Sequence, residues 1–189
     1  MTENRSNLLI ALGGNLSSGN LAPRQTLVQA IEMMPSLGLK IVSVSRFFTT
    51  PCFPAGAGPD YVNAAVCVTT NFDSHAILTV LHRIEAEYGR IREQRWGMRT
   101  LDVDLLAVGQ TILPDRTTYQ AWQQMAPQVQ AKSVPDQLVL PHPRIQDRAF
   151  VLVPMADIAP DWRHPVLHKT TTQLCNALPR SDREAVRPI

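Results

Sequence analysis

An α+β fold is predicted by three observations. Four apolar runs with strand character fall at 8–12, 40–49, 61–69 and 101–108. Amphipathic helical patterns separate the first run from the second and the third from the fourth, whereas only a Pro/Gly-rich loop joins the second to the third. The resulting order, β-α-β-β-α-β, is the split βαβ, ferredoxin-like plan: an antiparallel sheet with helices packed on one face, here followed by a C-terminal extension.

Each element has its own signal. Leu8 to Leu12 is a short buried strand closed by Gly13-Gly14-Asn15. Pro23 opens a helix that puts Leu27, Val28, Ile31 and Met34 on one face, and Pro35 stops it. Lys40 to Thr49 reads as one strand, and TPCFPAGAGPD at 50–60 is too long for a tight hairpin turn. From Tyr61 to Thr69, Val62, Ala64, Val66 and Val68 alternate with Tyr61, Asn63, Ala65 and Cys67. Asp73 or Ser74 caps a second helix with Ile77, Val80, Leu81, Ile84 and Tyr88 inward and Gly89 as its stop. Residues 110–140 form an excursion punctuated by Pro114, Pro127 and Pro135, with one short helix expected in AWQQMAPQVQ. Ala149 to Ala159 is expected to be helical on either side of Pro154, Thr171 to Leu178 forms a final helix, and the tail SDREAVRPI is expected to be mobile.

At 189 residues with 44% hydrophobic and 18% charged side chains, the chain is read as one globular domain, 1–189, with its core at about 7–160. A net charge of +2 is too small to imply a nucleic-acid partner. Three widely spaced cysteines without CxxC argue against a disulfide framework or zinc knuckle. No signal peptide or membrane span is legible, so a cytoplasmic protein without a membrane partner is expected; a monomer without nucleic acid as partner is expected as well.

The chemistry concentrates at RTLDVDLLAVG, residues 99–109. Alternation sets Asp102 and Asp104 on one face, their Cα atoms about 6.5–7 Å apart, with Leu101, Val103 and Leu105 on the other. Two like charges so close require compensation. They are either exposed on an edge strand or paired with arginines for structure, or they hold magnesium, whose remaining positions water and phosphate would fill. The apolar opposite face predicts a central strand and favours the metal. Just upstream, GRIREQRWGMR supplies Arg90, Arg92, Arg95 and Arg99, guanidiniums suited to a polyphosphate; no Walker loop is present, so arginine and Mg²⁺ would have to hold any nucleotide phosphates. Such a basic loop is equally read as a solvated surface, and Trp96 as a core plug. PHPRIQDRAF adds His142, Arg148 and Phe150; a lone His beside two prolines is commonly structural.

FTTP…PDYVNAAV, RIEAEYGRIREQRWGMRTLDVDLL and LPHPRIQDRAFVLVPMADIAP, in this order, resemble the 6-hydroxymethyl-7,8-dihydropterin pyrophosphokinases of folate biosynthesis over about 7–160, and ALGGN is similar to the family's ALGSN. The resemblance implies a ferredoxin-like fold and transfer of pyrophosphate from ATP, as co-substrate, to the pterin hydroxymethyl group with two Mg²⁺ ions, ATP and a reduced pterin being the partners. It implies that Asp102 and Asp104 hold the metals and that Arg90 and Arg99 are catalytic. Glu85, Arg90, Arg92, Arg95, Arg99, His142 and Arg148 match ATP-binding positions. Thr50 and Asn63 match hydrogen-bonding partners of the pterin, Phe53 and Phe150 its stacking pair, and Tyr61 and Trp96 the rest of that pocket. The chain departs from the pattern at Phe53, often Leu, at His82, often Gln, at Glu93, often basic, and at Pro143, often aromatic. The alternative is an RNA-binding module on the same fold, but no aromatic cluster for base stacking lies on 61–69 or 101–108, and the two carboxylates would repel a bare phosphate backbone.

Overall fold

The computed structural model describes residues 7–52, 56, 58–89, 99–130 and 133–189. Its core follows the predicted order: β1 (Asn7–Gly14), α1 (Pro23–Met33), β2 (Lys40–Val44), β3 (Phe48–Thr50), β4 (Tyr61–Thr69), α2 (Ser74–Glu87) and β5 (Asp102–Val108). β1 lies between β4 and β5, antiparallel to both, and β2 and β3 pair in succession along the other edge of β4. This is the ferredoxin-like sheet.

The strand expected over 40–49 is broken at Ser45–Phe47. Ser45 replaces the ladder there: its Oγ accepts from the Ala65 N–H at 2.9 Å and donates to the Arg46 carbonyl. Arg46 then turns out to α5 (Ala149–Ile158), where Nε and Nη2 donate to the two Asp157 oxygens at 2.9 and 2.8 Å. α2 begins at Asp73, whose carboxylate caps the Ala76 N–H.

The two faces of the sheet are covered differently. Leu8, Ile10 and Leu12, Ala64, Val66 and Val68, and Val103 and Leu105 pack against Leu27, Ile31, Ile77, Leu81 and Ile84 of α1 and α2. Each such buried Leu, Ile or Val contributes about 1.5–3 kcal/mol through removal from water. On the opposite face Leu9, Ala65, Cys67, Leu106 and Ala107 are covered by Val151, Leu152 and Met155 of α5 and Leu174 of α6 (Thr171–Ala177). The helices therefore do not stay on one face: the extension covers part of the second. A register shift opposite Leu9/Ile10 lets Leu106 and Ala107 both turn to this side.

Three further expectations change. α5 runs unbroken past Pro154, because Val151, Leu152 and Met155 are buried against the sheet and hold the helix through the backbone bond that proline cannot make. The excursion contains two helices, Arg116–Gln124 (α3) and Pro127–Gln130 (α4), and closes at its base where Leu113 and Leu140 exchange backbone hydrogen bonds of 2.9 and 3.0 Å. The tail is ordered into α7 (Arg180–Glu184) and β6 (Arg187–Pro188), and β6 pairs with β3.

Candidate active site

The site grows from the register of the sheet. Phe48, Asn63, Gly13 and Asp102 stand opposite one another across β3, β4, β1 and β5, and Ala65, Ala11 and Asp104 form the next row. Opposed residues in antiparallel strands share a face. Asp102 and Asp104 thus join Asn63 and Tyr61 on the second face, beyond the part that α5 covers, while Val103 and Leu105 enter the first core. The small residues between them leave a floor without bulk. A Cβ on Gly13 would come within 2.8 Å of Asn63 Oδ1, and one on Gly14 would collide with the Thr100 carbonyl.

The apolar opposite face had predicted a central strand; β5 is instead an edge strand, pairing with β1 alone among the described residues. One face of an edge strand is buried just as fully when a helix lies under it, and α2 does so here. The carboxylates remain partly open to solvent, 22% at Asp102 and 37% at Asp104. Their charge is balanced by arginines: Arg99 Nη1 donates to Asp102 Oδ2 at 2.6 Å, and Arg148 Nη1 stands 3.7 Å from Asp104 Oδ2. Burial pushes the Arg148 guanidinium down from its usual value, and Asp104 acts against that shift.

Asn15 fixes Arg99 in place. Its Oδ1 accepts from the Arg99 N–H at 3.0 Å, its own N–H donates to the Arg99 carbonyl, and its Nδ2 donates to the Pro59 carbonyl at 3.1 Å. It is 3% exposed. Sequence reasoning assigned it no role, although its place directly after Gly13-Gly14 was the available signal. Glu85, also buried, uses Oε1 to accept from the Val103 N–H at 2.9 Å and so ties α2 to the backbone between the two aspartates.

PHPR crosses the end of β5. The His142 N–H donates to the Leu106 carbonyl at 2.8 Å, and its Nδ1 accepts from the Arg144 N–H at 3.1 Å. Burial first, then the Arg148 charge, pushes this imidazole down to about 3, so it is neutral at pH 7 and carries its proton on Nε2. Arg148 lies over the half-exposed Phe150 ring, 5.7 Å from its centroid.

At the opposite end of the floor, Asn63 Nδ2 donates to Thr50 Oγ1 at 2.8 Å, and both residues are buried. Tyr61 hydrogen-bonds Arg99, and burial raises its hydroxyl pKa. The structure thus brings together Thr50, Tyr61, Asn63, Arg99, Asp102, Asp104, His142, Arg148 and Phe150. Phe53, Arg90, Arg92, Arg95 and Trp96 lie outside the described residues.

The donor set suits a hard divalent cation. Two carboxylates at i and i+2, on a floor kept clear by Gly13 and Ala11, leave coordination positions for water and phosphate, as magnesium prefers. Among the described residues no group of three or more His, Cys, Asp or Glu converges.

Comparison with known proteins bears on this arrangement. The family model described as 7,8-dihydro-6-hydroxymethylpterin-pyrophosphokinase matches residues 9–160. A 2-amino-4-hydroxy-6-hydroxymethyldihydropteridine pyrophosphokinase of Synechocystis is 35% identical over 96% of this chain and 79% of its own length. A protein of the same description from Pseudomonas aeruginosa is 37% identical over 82% of each chain. A crystal structure of Plasmodium falciparum HPPK-DHPS covers the whole chain with TM-score 0.64 at 16% identity, a likeness of fold; the chain spans 49% of that protein's length. None of these matches supports the RNA-binding alternative.

Proposed function

Since the chain belongs to the 7,8-dihydro-6-hydroxymethylpterin-pyrophosphokinase family, we propose that its polar sheet face is the centre for pyrophosphoryl transfer from ATP to 6-hydroxymethyl-7,8-dihydropterin in folate biosynthesis. The products are AMP and the pterin diphosphate. The supporting observation is the row of Asp102, Gly13 and Asn63 with Asp104 beside it, balanced by Arg99 and Arg148.

In this reading Thr50 and Asn63 hydrogen-bond the pterin, with Tyr61, Phe53, Trp96 and Phe150 around its ring. Asp102 and Asp104 would hold magnesium, as two ions, and the metal would supply charge neutralisation for the transferred phosphates. On nucleotide binding Arg99 and Arg148 exchange part of their carboxylate contact for phosphate oxygens, and Arg90, Arg92 and Arg95 add further guanidiniums. His142 donates its Nε2–H to a phosphate oxygen without adding charge. Glu85 acts through the Val103 backbone, setting the carboxylate-bearing strand. Residues 1–189 act as one pyrophosphokinase domain, a cytoplasmic monomer; among the described residues no helix is long and apolar enough to cross a membrane.

The test supplies full-length protein with ATP, Mg²⁺ and the reduced pterin and follows AMP. AMP should form, stop on chelation, and be lost in Asp104→Ala. AMP formation untouched by that substitution contradicts the metal assignment.

A further inference from the structure

We infer that the C-terminal strand β6 is a positioning element for the pterin side of the site, an inference that rests on reading Thr50 and Asn63 as pterin contacts. β3 is only three residues long, carries Thr50 at its end, and leads directly into Pro51 and the following loop. Its inner edge is held by β4, where Thr50 faces Tyr61 and Phe48 faces Asn63. Its outer edge is held by β6: Phe48 faces Pro188, Thr49 faces Arg187, and the Ile189 N–H donates to the Phe47 carbonyl at 2.9 Å. Antiparallel ladders alternate bonded and non-bonded pairs. With Phe47 and Ile189 bonded, Thr49 and Arg187 are the next bonded pair, and Pro188 falls where no donor is required. A proline is tolerated in a strand at such a position. Without β6, β3 would be a three-residue edge, an element prone to fraying.

The extension is anchored so that it can carry this load. Val186, just before β6, is buried, and Leu174 of α6 packs on the second face of the sheet. Further upstream His164 is fully buried. Its Nδ1 accepts from the Val166 and Leu167 N–H groups, both at 3.2 Å, which leaves its proton on Nε2, 2.9 Å from the Tyr119 hydroxyl of α3. Trp162 stands edge-on to the same imidazole and donates from Nε1 to the Gly109 carbonyl. The excursion and the extension therefore brace one another, and the braced segment ends on the strand that carries Thr50. Residues 161–189 lie beyond the 9–160 that the family model matches, while the Synechocystis relative aligns over 96% of this chain.

The test deletes Arg187–Ile189 from the otherwise complete chain and compares KM for the pterin, KM for Mg-ATP, Tm and amide exchange at Phe48–Thr50. Pterin KM should rise about fivefold or more while Mg-ATP KM stays within about twofold, with protection lost at the β3 amides. Ile189→Pro, which removes the donor to Phe47 while keeping the chain length, should move pterin KM in the same direction by less, and it decides the matter if the deletion does not fold. Unchanged pterin KM with β3 still protected, or pterin and ATP KM rising together, overturns the inference. Absence of AMP from the full-length chain is a different failure, that of the activity reading.

Discussion

The two faces of the sheet make opposite use of the same backbone. Toward α1 and α2, β1, β4 and β5 present Leu, Ile, Val or Ala, and Ile10, Val66, Leu81 and Ile84 are wholly buried. Toward the other side, β1 presents Gly13 and Ala11, β4 presents Tyr61 and Asn63, and β5 presents two aspartates. The first face maximises burial. Beyond the part that α5 and α6 cover, the second keeps like charges side by side and stays partly open, an arrangement that contributes little to folding and fits the proposed site for a ligand that needs carboxylates and arginines together. Stability and activity should therefore respond to different substitutions.

The largest effect is expected from Asp104→Ala. Loss of one carboxylate from the proposed magnesium site should lower kcat by about 10³-fold or more, while stability stays within about 1 kcal/mol, because the residue is surface-accessible and its partner Arg148 lies at 3.7 Å. Urea unfolding and AMP release, measured on the same sample, separate the two. A large loss of stability would break the comparison.

Leu81→Ala is the converse. It should cost about 2–5 kcal/mol in urea unfolding and leave kcat per folded molecule unchanged, since the side chain touches only the first core. A kcat that falls with stability would show that the faces are coupled.

Acidification should act through the histidines. His164 is pushed down to about 4, by burial first and then the His168 charge, and His142 to about 3. The unfolded chain binds these protons near pH 6.5, so it holds more protons than the native state below that value. Their contribution is complete above about pH 6.5 and is lost progressively as pH falls toward 4, by a few kcal/mol in all. Thermal melts from pH 7 to 4 should show the decline, and His164→Gln should flatten part of it.

The smallest effect sharpens the role of the missed residue. Asn15→Ala should reduce kcat about tenfold by loosening the Arg99 backbone, and Asn15→Asp, which keeps the acceptor for the Arg99 N–H, should recover part of it. Equal losses in both would leave the Pro59 bond, not the Arg99 bond, as the important one.

What was legible follows the same division. The βαββαβ order and the first core could be read because burial on one face imposes a period of two on strands and 3.6 on helices. The shared face of Asp102 and Asp104 follows from that period alone. Long-range contacts leave no such trace. Asn15 gains its role from Arg99, 84 positions away. The break at Ser45 depends on a hydroxyl replacing a ladder bond, and the edge position of β5 on topology. The ordering of the tail depends on β3 offering an open ladder, so a polar C-terminal stretch that looked mobile pairs instead.

In the proposed function the polar face moves two phosphoryl groups as a unit. Phosphorus NMR of a reaction of this protein with ATP, Mg²⁺ and 6-hydroxymethyl-7,8-dihydropterin tests it directly. AMP and a pterin diphosphate should form in equal amounts, with both the β and γ phosphorus of ATP on the pterin. ADP with a pterin monophosphate, or no transfer at all, would contradict it.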